Sequence, residues 1–294
     1  MKVAIYGKEI TQDSRKQLEL LYNKLVNAGV SICVNKKFNE FLETHCDMNL
    51  GFNTYASHIS FKECKPDILL TIGGDGTFLD STTFVRDTGV PILGINTGRL
   101  GFLANVSKDE VEDAADAILN GQYTFDERQL INVKSTLSDI DFDPDFALNE
   151  VAISRKDTTT MLTVHAWIDG EYLNSYWADG LMLSTPTGST GYSLSCGGPI
   201  VMPGSQNFVI TPIAPHNLTV RPFVIPNDVE IRFKVESRED EYLLSLDSRI
   251  YTMANKSEVE LSCAPFQIKL VKTPLQNFPS TLRNKLLWGL DRRN

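Results

Sequence analysis

The chain is poor in the residues that build disulfide frameworks, structural metal sites and membrane spans. Its five cysteines, Cys33, Cys46, Cys64, Cys196 and Cys263, are scattered, odd in number and never spaced C-x-x-C. This argues against a disulfide scaffold and points to reduced thiols. The four histidines, His45, His58, His165 and His216, show no metal-ligand spacing, so a structural zinc site is not expected. No apolar run reaches the roughly twenty residues that cross a bilayer, and residues 1–6 read as a short strand rather than a signal peptide. The expectation is a cytoplasmic protein with no membrane partner. Basic residues are also short: 28 Lys and Arg stand against 37 Asp and Glu, a formal net charge of −9. That balance excludes a broad nucleic-acid footprint. A polyanion would have to be held by backbone N–H groups, a few cations and metal ions. Three motifs are absent as well. There is no G-x-x-x-x-G-K-[ST], no G-x-G-x-x-G after the first strand and no protein-kinase signature set.

What is present is ordinary globular material, 42% hydrophobic and 22% charged, so a large core is expected. A length of 294 residues suggests two domains or one large one. The first third alternates strand and helix. Residues 3–6 and 32–34 read as strands. Leu18, Leu21, Tyr22 and Leu25 recur at helical spacing before Ala28-Gly29 closes the helix. Phe38, Phe41 and Leu42 suggest a short helix in an otherwise polar stretch. Residues 67–72 and 91–95 are strands, and 111–119 is a helix stopped near Gly121. Such alternation predicts a doubly wound, Rossmann-like parallel sheet over residues 1–126.

Beyond residues 125–130 the period changes to two. Val229, Ile231, Phe233 and Val235 alternate with charged residues, as do Val259, Leu261 and Cys263. Phe266, Ile268 and Leu270 do the same, and Asp169-Gly170 reads as a hairpin turn. Residues 127–272 are therefore expected to form a β-rich, sandwich-like domain. Residues 273–294 are expected to be a tail that packs back on the first domain, with a short amphipathic helix over 282–290.

Four elements carry chemistry. The apolar run Leu69-Leu70-Thr71-Ile72 stops at Gly73-Gly74-Asp75-Gly76-Thr77. Glycines after a buried strand let the backbone approach a phosphate, at the carboxyl end of the strand where open α/β sheets bind ligands. Gly73, Gly74, Gly76 and Thr77 are the phosphate candidates. Asp75 among them would repel a phosphate unless it takes a proton or binds a metal; as plain structure it would be a helix cap. The second element is the glycine-containing loop 96–102, a candidate cleft wall or an ordinary βα loop. The third is Asn149-Glu150, which alone reads as a strand start. The fourth spans 178–195 and places Ser184, Thr185, Thr187, Ser189, Thr190, Tyr192, Ser193 and Ser195 around a Pro/Gly turn. A helix cap needs one hydroxyl, so this wealth of hydroxyls favours nucleotide or phosphate binding.

Together these elements resemble the NAD kinase family. The resemblance rests on Gly73-Gly74-Asp75-Gly76-Thr77, on Asn-x-Gly-x-Leu-Gly-Phe-Leu over 96–103, on Asn149-Glu150, and on Thr185-Pro186-Thr187-Gly188-Ser189-Thr190-x-Tyr192-Ser193. It covers most of the chain. It implies an α/β domain followed by a β-rich one, and an ATP-dependent phosphorylation of NAD to NADP with a divalent cation such as Mg²⁺. By this resemblance Asp75 is the general base toward the adenosine ribose 2′-hydroxyl. Asn149, Glu150, Asp179, Thr190, Tyr192 and Ser195 hold NAD, joined by Gly76, Thr187, Gly191, Ser193 and Leu194. Phe102, Thr160, Trp177 and Arg249 match positions that line the NAD pocket. A homo-oligomer is implied. Two residues depart from the family pattern: Gly191 replaces an alanine, and Asp80 stands where many relatives carry arginine. A diacylglycerol-type lipid kinase and a non-catalytic NAD or nucleotide sensor are the alternatives.

Overall fold

The computed structural model describes residues 1–46, 51–135, 140–157, 160–274 and 277–287. The chain divides into two units, Met1–Glu127 with Ile268–Asn294, and Arg128–Gln267.

In the first unit the strands are β1 (Lys2–Gly7), β2 (Ser31–Asn35), β3 (Asn53–Tyr55), β4 (Ile68–Ile72), β5 (Ile92–Ile95) and β6 (Thr124–Arg128). The helices are α1 (Gln12–Asn27), α2 (Lys36–Cys46), α3 (His58–Cys64), α4 (Asp75–Val85) and α5 (Val111–Leu119). Every residue of β4 is buried, as a strand covered on both faces requires. Parallel pairing sets Gly7 beside Ile72 and Ile72 beside Ile95, so β1, β4 and β5 end together. The loops that follow these strands gather at one edge. Thr11 caps α1 by accepting from the Ser14 N–H, and the turn at Gly29 (φ 69°) follows it.

The second unit holds β7 (Ile131–Ser135), β8 (Phe146–Ala147), β9 (Glu150–Arg155), β10 (Leu162–Ile168), β11 (Glu171–Ala178), β12 (Gly180–Ser184), β13 (Asn207–Ile213), β14 (Phe223–Pro226), β15 (Ile231–Glu236), β16 (Glu241–Leu246), β17 (Arg249–Ala254) and β18 (Glu258–Cys263). One helical turn, α6 (Tyr192–Ser195), interrupts them. Two six-stranded sheets form, in the orders β11-β10-β15-β18-β7-β8 and β14-β13-β12-β9-β16-β17. Their pairings are antiparallel. Ile131, Val133 and Val164 of one sheet share a core with Val151, Leu181 and Leu244 of the other, which makes this a sandwich. Asp169 (φ 48°) and Gly170 (φ 82°) turn the β10–β11 hairpin with both φ values positive.

The last strand, β19 (Ile268–Lys272), corrects a boundary. Expected with the β-rich domain, it lies in the first sheet, whose order is β3-β2-β1-β4-β5-β19-β6, and runs parallel to β5. Its alternation is broken by Val271, buried with Ile268 and Leu270, as both-face burial demands. The final helix, α7 (Phe278–Leu286), starts four residues before the expected Leu282, capped by Asn277. Positions 288–290 of the expected helix lie outside the described residues.

Candidate active site

In the first unit the site is built on the turn between β4 and α4. The N-cap of α4 is Gly74, so Asp75 is the first helical residue rather than the cap. Its carboxylate instead accepts three consecutive backbone N–H groups from the loop after β5: Phe102 at 2.9 Å, Leu103 at 3.0 Å and Ala104 at 2.9 Å. The loop is shaped for this. Asn96 accepts from the Gly98 N–H and donates to the carbonyls of Arg99 and Ala104. A Cβ on Gly101 would stand 1.9 Å from Asp75 Oδ1, so only glycine lets the loop reach the carboxylate. Gly73 is likewise required, with φ 151° and Thr77 pressed against it. Gly74 and Gly76 are different. A Cβ on either would meet nothing within 4 Å. The fold does not demand glycine there, and the space beside both is open at the N-terminus of an eleven-residue helix. That is the arrangement an anion needs to approach backbone N–H groups. The Phe102 ring lies 6.3 Å from Phe278, and Lys285 Nζ stands 5.6 Å from the Phe102 ring centre.

In the second unit the site is built where the chain leaves one sheet for the other. Leu148 and Asn149 join β8 to β9, and a crossover of this kind strands its backbone groups. Here all are paired. The Asp247 carboxylate, in the turn between β16 and β17, accepts from the N–H groups of Leu148 (2.8 Å), Asn149 (2.7 Å) and Glu150 (3.2 Å). The Asp247 N–H returns a bond to the Glu150 carbonyl. The Leu148 carbonyl accepts from Thr185 Oγ1 at 2.6 Å and the Asn149 carbonyl from the Thr185 N–H at 2.9 Å. The 3₁₀ turn Thr187–Thr190 packs directly on this crossover: a Cβ on Gly188 would lie 2.0 Å from the Asn149 carbonyl oxygen. The third and fourth sequence elements are thus one piece of structure. The backbone of residues 148–150 is satisfied and two of its side-chain atoms are not: Asn149 Oδ1 and Glu150 Oε2 are buried atoms with no hydrogen-bond partner. Desolvation, with the charge of Asp247, pushes the Glu150 carboxyl up to about 8, against the pull of the Tyr192 N–H. Burial also raises Asp247 above the usual carboxylate range, opposed by its three N–H donors and by Arg249.

Two family models match the chain. The ATP-NAD kinase N-terminal domain matches residues 3–123, and the ATP-NAD kinase C-terminal domain matches residues 148–273. NAD kinases of Flavobacterium psychrophilum and Flavobacterium johnsoniae are 46% and 47% identical, each over 100% of both chains. The chain belongs to the NAD kinase family. Two solved structures share its fold. A yeast NADH kinase complexed with NADH has a TM-score of 0.86 at 24% identity, over 98% of this chain and 88% of that one. An Archaeoglobus fulgidus NAD kinase in complex with ATP has a TM-score of 0.75 at 22% identity, over 97% and 99%.

The other NAD kinase positions are placed unevenly. Most hydroxyls of the fourth element serve the fold. Ser184 and Thr185 bond backbone carbonyls, and Thr187 accepts from Arg128. Ser189 is tied to Val201, Thr190 bonds the Thr187 carbonyl, and fully buried Ser193 meets Thr211 Oγ1 at 2.9 Å. The argument from hydroxyl number is corrected accordingly: only Tyr192 and Ser195 present exposed side chains, with half-buried Gly191 and Leu194 beside them. Asp179, between β11 and β12, pairs with Arg155 at 3.0 Å. Trp177 is half exposed, its ring 4.3 Å from that of His216. Thr160 carries another buried hydroxyl without a partner. Arg249 is turned inward: its guanidinium donates to the carbonyls of Pro144 and Phe146. In the first unit Asp80 pairs with Lys8, which follows β1. Asp247 is the residue that sequence reasoning missed. An aspartate in a hairpin turn is commonplace, and nothing local marks it.

Proposed function

We propose that this chain is an NAD kinase that transfers the γ-phosphoryl group of ATP to the 2′-hydroxyl of the adenosine ribose of NAD, giving NADP and ADP. The observation that carries the reading is the pair of partnerless buried oxygens, Asn149 Oδ1 and Glu150 Oε2, on a backbone whose own bonds are complete. Buried polar atoms are paired in native proteins, so two side by side mark the place of a ligand's polar groups. NAD offers ribose hydroxyls and amides of that kind.

Phosphoryl transfer needs alignment and charge neutralisation more than covalent help. The open space at Gly74 and Gly76 admits the ATP phosphates to the N-terminus of α4. The 2′-oxygen forms its bond to the γ-phosphorus as the bond to the β,γ-bridging oxygen breaks, and ADP departs. Asp75 takes the hydroxyl proton as charge leaves the attacking oxygen. A divalent cation bound with the ATP phosphates would offset their charge. Among the described residues no three His, Cys, Asp or Glu side chains converge to hold one, so no protein ligand is assigned to it. Family membership removes the lipid-kinase alternative. The sensor alternative is decided by turnover of purified protein with ATP, Mg²⁺ and NAD, reading NADP with an NADP-specific dehydrogenase. NADP formation is expected; NAD binding without NADP would leave a sensor.

A further inference from the structure

The crossover at residues 148–150 owes its shape to Asp247 more than to any other side chain. Three successive N–H groups converge on one carboxylate, and the Asp247 N–H closes the contact from the other side. Two residues on, Arg249 grips the carbonyls of Pro144 and Phe146, so the β16–β17 turn holds this segment at both ends. Both charged groups of this device are bonded to backbone. Its product is the position of the Asn149 and Glu150 side chains.

We propose that Asp247 is a positioning residue for NAD: it fixes residues 148–150 so that Asn149 Oδ1 and Glu150 Oε2 are presented to the dinucleotide. The proposal rests on the NAD-binding role assigned to Asn149 and Glu150 above. It also sets the Asp247 charge beside Glu150, where it adds to burial in holding the Glu150 proton. The groups that face Glu150 are Asp247 from the β16–β17 turn, with Arg249 beyond it, and from α6 the Tyr192 N–H, the Tyr192 hydroxyl and the Cys196 thiol.

Asp247→Asn preserves size but turns an acceptor oxygen into an N–H₂ donor against three N–H groups. The expected result is a rise of about tenfold in KM for NAD, with KM for ATP kept within about twofold. The pH midpoint of NAD affinity, set by Glu150, is expected to fall by about one unit because a like charge is gone. A purely structural role would lower thermal stability and leave that midpoint where it is. A folded variant with unchanged KM for NAD and an unchanged midpoint overturns the proposal. If the variant is insoluble, hydrogen–deuterium exchange on the wild type decides. The amides of residues 148–150 are expected to be as protected as those of β9 without NAD, and fast exchange overturns the clamp. Asn149→Ala separates the two layers of inference. If it leaves KM for NAD unchanged, the reading of the site fails; if it raises KM while Asp247→Asn does not, the positioning role alone fails.

Discussion

Asp75 and Asp247 solve the same problem in the two units. Each carboxylate gathers three consecutive backbone N–H groups, from residues 102–104 in one case and 148–150 in the other. Each thereby fixes a segment with no regular partner. They differ in surroundings. Asp75 opens a helix, between two glycines with empty space beside them. Asp247 sits in a hairpin turn, with Arg249, the first residue of β17, bound to the backbone beside it. One bonding pattern thus serves two purposes. The carboxylate beside open space organises its loop and can also exchange a proton with a ligand. The one in the hairpin holds other groups in place.

The strongest way to break this comparison is Asp75→Asn. A general base contributes about 10²–10⁴ in rate, so kcat for NADP formation is expected to fall by that factor. Circular dichroism should report an intact fold. Near-full turnover in a folded variant would make Asp75 a clamp like Asp247 and nothing more. The next largest effect separates two glycines. Gly188→Ala drives a Cβ to within 2.0 Å of the Asn149 carbonyl oxygen, which the Thr185 N–H holds in place, and is expected to cost about 1–3 kcal/mol in urea unfolding. Gly101→Ala meets the Asp75 carboxylate instead. It is expected to displace Asp75 from the N–H groups of residues 102–104 and so to lower kcat together with stability. If both variants lose only stability, Asp75 acts only as a clamp.

Gly76→Ala sharpens the contrast further. Alanine fits the helix better than glycine and meets no neighbour, so stability is expected to rise by about 0.5–1 kcal/mol. The added methyl fills the space assigned to phosphate, and KM for ATP is expected to rise about tenfold. A thermal melt and an ATP titration of the same preparation check both. A variant gaining stability at no expense in ATP affinity would remove the phosphates from this turn.

The parts of the fold legible in the sequence were those whose signal is local. The buried run at 68–72 and the glycines after it announce strand and turn together. Helix α5 ran from Val111 to Leu119 as its periodicity implied. Ile268–Lys272 was assigned to the wrong sheet because alternation shows that one face is buried, not against what. The hydroxyls of 184–195 do not reveal in the sequence which of them serve the fold. Their partners, such as Thr211 for Ser193, stand in strands that the segment does not reveal. Asp247 bonds residues 97 to 99 positions upstream, a relation that no spacing rule contains.

Proton linkage gives an effect spread over several pH units. Glu150 ionises near 4.5 when free and is raised to about 8 in the fold. Between those values the unfolded chain has released a proton that the folded chain retains. Stability of the ligand-free protein therefore falls as pH rises, by at most about 1.4 kcal/mol per unit from this group. Glu150→Gln is expected to shallow the decline of Tm from pH 5 to 8. The raised Asp247 contributes in the same direction and stays in the variant, so the slope shrinks without vanishing. Parallel Tm profiles for the two proteins would mean that Glu150 is ionised at neutral pH.

The smallest effect is expected at Gly191, where the family pattern has alanine. A Cβ there would lie 3.2 Å from Glu150 Oε2 and 3.2 Å from the Gly188 carbonyl oxygen. Both contacts are a few tenths of an ångström too short, and they are unequal in kind. The Gly188 carbonyl belongs to a turn locked on the Asn149 backbone, whereas the Glu150 tip is the end of a rotatable side chain. The strain of Gly191→Ala therefore falls on Glu150 Oε2. That atom is read as touching NAD, so the variant is expected to change KM for NAD by no more than about twofold, with kcat and KM for ATP unchanged. A shift of tenfold or more would show that Glu150 has no room to yield. The clamp of Asp247 would then set the position of the side chain as rigidly as that of the backbone.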